Sequence, residues 1–221
     1  MKMKMVKIIT IDGPSGSGKG TLSQRVASQL GWHFLDSGAL YRLLGLAVSN
    51  KGIEFDEVDR IADVAKTMLV QFENARIRLE GDDVTDIIRT ETAGNNASKV
   101  AAIPQVRAAL LAWQRDYAKP PGLVADGRDM GSVVFPNAKL KIFLTASAEE
   151  RAKRRYKQLK EKGLDVNVRD LTVEIDERDQ RDMNRSIAPL VAAEGALELD
   201  STSLSIEEVL DIVLQEAEKR L

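Results

Sequence analysis

The sequence predicts an α/β protein with a central parallel sheet, and three observations carry that prediction. A β-branched run over Lys7–Asp12 stops at a glycine-rich turn, residues 13–18, and apolar Leu22, Val26 and Leu30 then recur at helical spacing. A second strand-like run, residues 32–35, leads into another helical pattern through Tyr41, Leu44 and Val48. Two further short apolar runs, residues 123–125 and 140–144, resume the alternation in the second half. Strands separated by helices need crossover connections, which give parallel sheets covered by helices on both faces, a three-layer αβα arrangement.

Each element has a local reason. Gly31 follows Leu30 where a helix end favours a left-handed residue, so the first helix stops there. From about residue 59 to 98 the pattern changes: residues 69–73 and 76–80 read as short strands, with Gly81-Asp82 as turn chemistry. This segment is expected to be an inserted lobe, 59–98, in a core made of 1–58 and 99–221. Residues 104–117 read as a helix, Pro120-Pro121-Gly122 as a break. Ser147 and Ser205 each precede a glutamate by three residues, the capping-box spacing, and start two more helices. Gly163 ends the first of these, and Ile206, Val209, Leu210, Val213 and Leu214 give the last helix its apolar face.

Composition removes several function classes. At 221 residues the chain can bury a substantial core, and 43% apolar against 30% charged residues is the balance of a globular protein. Thirty-two basic and thirty-four acidic residues leave a net charge of −2, so no global field draws it to a nucleic acid polymer or a membrane. There is no cysteine, which rules out disulfides, thiolate nucleophiles and cysteine metal sites and suits a reducing compartment. His33, the single histidine, sits in a short apolar run and reads as structural. The Met/Lys start is too short in apolar residues for a secretory or spanning segment, so a cytoplasmic protein is expected. With no heptad seam, a monomer is expected.

The strongest chemical signal is Gly13-Pro14-Ser15-Gly16-Ser17-Gly18-Lys19-Gly20-Thr21, between a strand and a helix. Glycines there let backbone N–H groups approach phosphate oxygens, the helix N-terminus adds partial positive charge, and Lys19 is placed for the β- and γ-phosphates. The chain is therefore expected to have a P-loop three-layer αβα fold that binds ATP. Residues 50–53 lack the aspartate that reads guanine in a GTPase loop.

Arginines follow in clusters. Arg178, Asp182 and Arg185 lie at i, i+4 and i+7, on one face of a helix running to about Ser186. Arg151, Arg154 and Arg155 share a face after the Ser147 cap, where a segment of about 151–168 would close over ATP as a lid. Asp126-Gly127-Arg128-Asp129 stands at the carboxyl end of a strand, where open α/β sheets bind ligands. Clustered arginines suit the transfer of one phosphate to another, which needs positioning and charge neutralisation rather than a strong base. On charge alone, Asp176, Glu177, Asp179 and Arg181 read as a solvated, ion-paired face.

The phosphate loop in its Gly-Lys-Gly-Thr form resembles those of nucleoside monophosphate kinases, with the hydroxyl displaced by one to Thr21, and no metal ligand is assigned directly. Together with Leu35-Asp36-Ser37-Gly38-Ala39-Leu40-Tyr41-Arg42, Ala125-Asp126-Gly127-Arg128-Asp129-Met130-Gly131 and residues 178–185, it closely resembles the bacterial cytidylate kinases over nearly the whole chain. That resemblance implies a nucleoside-monophosphate-binding insert and a short helical lid. It also implies transfer of the γ-phosphoryl of ATP, with Mg²⁺, to CMP or dCMP. By the same resemblance Ser37, Ser98, Arg107 and Asp129 would contact cytosine, and Arg178 and Asp182 the sugar. Arg42, Arg128 and Arg185 would grip the acceptor phosphate, with Lys19, Arg128 and Arg185 as the catalytic cations. A kinase for UMP or dTMP on the same scaffold, and a non-catalytic ATP-binding module, are the alternatives; the latter has no need of arginines around a second ligand.

Overall fold

The alternation appears in full in the computed structural model, which describes residues 6–73, 76–161, 163 and 166–221. The Met/Lys start at residues 1–5 and lid positions 162, 164 and 165 lie outside the described residues. In chain order the first half contains β1 (Lys7–Asp12), α1 (Lys19–Leu30), β2 (His33–Asp36), α2 (Ser37–Asn50), α3 (Val58–Thr67), β3 (Val70–Glu73), β4 (Arg76–Leu79), β5 (Asp82–Asp83), α4 (Glu91–Ala101) and α5 (Pro104–Asp116). The second half adds β6 (Gly122–Gly127), β7 (Leu140–Thr145), α6 (Ala148–Glu161), α7 (Val168–Met183), β8 (Leu197–Asp200) and α8 (Ile206–Arg220).

Two compact units share these elements: residues 1–36 with 115–221, and residues 37–114. In the first, five strands form one parallel sheet in the order β2-β6-β1-β7-β8. β1 sits at its centre, with Ile9 and Ile11 fully buried between β6 and β7. Leu22 and Val26 of α1, Val124, Leu140, Ile142 and Leu144 of the strands, and Val209 and Val213 of α8 close this core. Each such side chain contributes roughly 1.5–3 kcal/mol on burial.

The caps act largely as the sequence implies. Gly31 ends α1 at φ 64°, its N–H reaching the carbonyls of Ala27 and Ser28. Ser205 makes both halves of its capping box with Glu208. At Ser147 only the hydroxyl half takes that form, accepting the Glu150 N–H at 3.2 Å. The Ser147 N–H is taken by the Thr202 hydroxyl at 2.9 Å, and Glu150 turns to Arg154 at 3.0 Å. His33 lies on β2, its Nε2 2.9 Å from the Pro120 carbonyl oxygen, a structural contact. Among the described residues no helix is long and apolar enough to cross a membrane.

The second unit is wider than the 59–98 lobe expected from the sequence. α2 was assigned to the core layer, but its apolar face (Leu40, Leu43, Leu44, Val48) shares one cluster with Ile61 of α3, Ile77 of β4, Val100 of α4 and Leu110 of α5. α2 crosses α4 closely at Gly45, where a Cβ would come within 2.9 Å of the Asn96 Cβ, so only glycine fits. The antiparallel sheet β3-β4-β5 belongs here. Asp82, expected in a turn, forms β5 with Asp83, and Asp83 pairs with Arg76 at 2.6 Å.

Candidate active site

The phosphate loop runs from the end of β1 into α1, as the glycine pattern requires. Gly13, Gly16 and Gly18 all have positive φ, at 150°, 76° and 95°. A Cβ on Gly13 would fall 2.0 Å from the Leu144 carbonyl oxygen, so the close approach of the loop to β7 demands glycine. A Cβ on Gly20 would lie 3.4 Å from Asp126 Oδ2, which places that carboxylate beside the first turn of α1.

Lys19 is buried within the loop and donates from Nζ to the Pro14 carbonyl at 2.8 Å. Burial, then the positive charges of Arg128 and Arg178, pull its ammonium down to about 7, against the opposing carboxylates of Asp126 and Asp12. A buried cation crowded by other cations in this way is a seat for an anion, which would relieve both burdens at once.

Opposite the loop, α7 presents Arg178, Asp182 and Arg185 from one face, the helical spacing having put them together. Asp182 is buried and accepts from Arg128 Nε at 2.9 Å. Burial works against the ionised Asp182, yet the charges of Arg128, Arg178 and Arg185 outweigh it and hold the carboxyl below the ordinary range. Arg128 is raised in turn: burial opposes, and the charge and hydrogen bond of Asp182 prevail. Arg178 Nη1 reaches the Ser15 hydroxyl at 3.4 Å, and Arg185 Nε donates to the Asp182 carbonyl at 3.2 Å. Asp129, between Arg128 and the π-type turn Met130–Val134, is buried. Lys19, Arg128, Asp129, Arg178, Asp182 and Arg185 thus all belong to the first unit.

The three candidate lid arginines have different settings. Arg151 is buried; it pairs with Asp179 and donates to the carbonyls of Ser15 at 2.9 Å and Ala146 at 3.0 Å. Arg154 bonds the Ser201 carbonyl at 2.6 Å and hydroxyl at 3.0 Å, and the Ser17 carbonyl at 3.3 Å. Both are anchored to the loop rather than extended over it. Arg155 Nη1 is 3.4 Å from Gln158 Oε1, near the limit of a hydrogen bond. Asp179 corrects the solvated reading: it is 3% exposed, because the loop and Arg151 cover it.

Asp12 was not singled out by the sequence. It ends β1, is buried, and accepts from the N–H groups of Met130 and Gly131, each at 2.8 Å. Burial pushes its carboxyl up to about 7, the two amides oppose this, and the charges of Asp129 and Asp126 add to it. The one sequence signal that could have found it is an acidic residue closing an apolar strand.

Ser37, Arg42, Ser98 and Arg107 all fall in the second unit. Ser37 opens α2 and Ser98 lies on α4, both buried. Arg42 Nη1 donates to the Ile88 and Thr90 carbonyls at 2.7 and 2.9 Å, which ties α2 to the start of α4. Arg107 is buried, its guanidinium carbon 5.7 Å from the Tyr41 ring centre, and Nη1 donates to the Ala101 carbonyl at 3.2 Å.

Residues 9–219 match the family described as Cytidylate kinase. The chain belongs to the cytidylate kinase family. A cytidylate kinase of Aeromonas salmonicida is 58% identical over 99% of this chain and 96% of its own length. That of Stutzerimonas stutzeri is 58% identical over 99% and 98%. Among solved structures, a gluconokinase from Sinorhizobium meliloti superposes with a TM-score of 0.50 at 14% identity, covering 99% of this chain and 95% of its own. At that identity the likeness concerns the fold alone. Membership in the cytidylate kinase family carries nucleotide phosphotransfer.

Proposed function

We propose that the protein transfers the γ-phosphoryl group of ATP to CMP or dCMP, giving ADP and CDP or dCDP. The observation that carries this reading is the buried cation group of Lys19, Arg128 and Arg178 beside the phosphate loop, balanced by Asp182. Repulsion between two phosphate esters is the main obstacle to their reaction, and fixed cations in a water-poor site lower it without reorganising.

For the donor, the loop N–H groups and Lys19 would hold the β- and γ-phosphates of ATP. Lys19 would be fully protonated once an anion is beside it. For the acceptor, Arg128 and Arg185 would take the phosphate, with guanidinium forks suited to its oxygens, and by the family resemblance Arg42 is a further candidate. Arg178 and Asp182 would hold the sugar. Asp129, Ser37, Ser98 and Arg107 would read cytosine, and wrong bases would leave these buried groups unpaired. Because Asp182 is kept ionised by three arginines, it would accept a hydrogen bond from a sugar hydroxyl across the neutral pH range.

Magnesium fits this arrangement through the nucleotide. No group of three or more potential metal-ligating side chains occurs among the described residues, so the phosphates would supply most ligands, with Asp126 the carboxylate beside Gly20. Bound there, Mg²⁺ would neutralise charge on the β- and γ-phosphates. We also propose a cytoplasmic monomer, which sedimentation of the purified chain tests.

The decisive assay measures ADP release from ATP and Mg²⁺ with CMP, dCMP, UMP, dTMP, AMP or GMP offered singly. Rapid turnover with CMP and dCMP and slow turnover with the rest is expected; a preference for another acceptor would overturn the base assignments. Arg185→Ala should lower kcat by about 100-fold or more while ATP binding stays within about twofold of the parent. Unchanged turnover in that variant would remove Arg185 from the acceptor site.

A further inference from the structure

Ser15, in the middle of the phosphate loop, is grasped from three directions. Its N–H donates to Asp179 Oδ1 at 3.2 Å, its carbonyl accepts from Arg151 Nη1 at 2.9 Å, and its hydroxyl lies 3.4 Å from Arg178 Nη1. Asp179 and Arg151 pair with each other through Asp179 Oδ2 and Arg151 Nη1, with side chains only 4% and 7% exposed. Arg151 is itself fixed to the Ala146 carbonyl at 3.0 Å, at the foot of α6. The backbone of α6 also lies against the loop: a Cβ on Gly16 would come within 3.1 Å of the Arg151 Cβ and 3.2 Å of its carbonyl oxygen.

A buried ion pair is a poor source of net stability, because removing two charges from water offsets most of their attraction, and well-packed apolar residues often do as well. What this pair offers is geometry. One carboxylate and one guanidinium fix both the N–H and the C=O of a residue flanked by glycines at 13, 16 and 18, the positions least able to order themselves. With the Ser15 carbonyl engaged by Arg151 and the Pro14 carbonyl by Lys19, both acceptors are occupied where the loop must offer donors.

We infer that Arg151 and Asp179 are a positioning pair that holds the phosphate loop in its nucleotide-receiving shape, so that they set ATP affinity rather than fold stability. The pair acts through Ser15 and touches no reacting atom. This inference rests on the ATP half of the kinase reading and not on the identity of the acceptor.

The test is calorimetric titration of the nucleotide-free full chain with ATP, without acceptor, set beside the thermal midpoint of each variant. Arg151→Lys keeps the charge but lacks the fork whose Nε is fixed to the Ala146 carbonyl while Nη1 serves Asp179 and Ser15. It should weaken ATP binding about tenfold while Tm stays within about 3 °C of the parent. The double variant Arg151→Met with Asp179→Leu replaces the pair by apolar groups; it should keep or raise Tm and still bind ATP about tenfold or more weakly. Parental ATP affinity in Arg151→Lys, or in a double variant with parental Tm, would overturn the inference. Should the double variant lose stability, Arg151→Lys decides alone. A parent chain that binds ATP but fails to phosphorylate CMP would sink the acceptor assignment and leave this pair's role intact. A parent that binds no ATP would overturn both.

Discussion

Replacing Lys19 by methionine should abolish phosphotransfer and, at the same time, make the nucleotide-free protein more stable. The side chain is 6% exposed, and methionine matches its unbranched shape without the charge. An ammonium at about 7 in place of 10.5 means that protonated Lys19 costs the fold about 4–5 kcal/mol at pH 6. Losing the bond to the Pro14 carbonyl, 2.8 Å long, returns about 1 kcal/mol of that. A net gain of about 3 kcal/mol remains, or about 6–12 °C in Tm for a chain of this size. The pH dependence supplies the control. The folded value lies below the unfolded one, so between about 7 and 10.5 the unfolded chain holds the extra proton and the parent gains stability as pH rises. The advantage of Lys19→Met should therefore shrink to about 1 kcal/mol or less by pH 9. Scanning calorimetry at pH 6, 7.5 and 9 reads both quantities. A variant no more stable than the parent at pH 6, or a gain that does not shrink at pH 9, would refute the picture of an ammonium strained by burial and by Arg128.

Asp12 should titrate in the opposite sense. Its folded value, about 7, lies above the ordinary 3.8, so its contribution is present in full at low pH and is lost as pH rises through about 7. Asp12→Asn should flatten the fall in parental Tm between pH 5 and 8, and an unaltered pH profile would remove Asp12 as its source. Gly16→Ala and Gly31→Ala impose the same kind of left-handed strain, at φ 76° and 64°, but only Gly16 meets a neighbour, the Arg151 backbone. Both should lower Tm, by about 2–8 °C, whereas ATP affinity should fall, by about tenfold, only at Gly16. Equal ATP affinities in the two variants would show that the loop tolerates a side chain at Gly16.

The central sheet was legible because β-branched runs and glycine punctuation mark β1, β6 and β7 directly. β8 was not: in Leu197–Asp200 only alternate residues are apolar, as suits an edge strand with Glu198 and Asp200 facing water. α4 escaped notice because its buried positions, Val100 apart, are the small residues Ala93, Gly94, Ala97, Ser98 and Ala101, which let α2 approach and give no strong apolar period. The same substitution of small for large hid the true extent of the second unit. Among the candidate site residues, the glycine-rich loop after β1 and the common α7 face of Arg178, Asp182 and Arg185 were legible from spacing alone. Asp12 and Asp179 did not, since a carboxylate is read as solvated until the backbone amides that receive it are known. Arg151 was found by its spacing, but neighbouring arginines on one helix gain distinct partners only in three dimensions.

The sheet order also governs how the chain can fold as it is made. Among the described residues, β1 hydrogen-bonds to β6 and β7, and β2 to β6, all partners from the second half of the sequence. The two strands that emerge first therefore lack their sheet partners until Gly122–Gly127 arrives to pair with both. Residues 37–114, by contrast, are contiguous and close their own apolar cluster from neighbours in sequence. Loop closure over short distances is the faster event, so this later stretch can consolidate before the strands that precede it. The glycine-rich loop, hanging from β1, then gains the support of the sheet only after β6 has emerged, and a chain truncated before β6 would carry the complete loop sequence without that support.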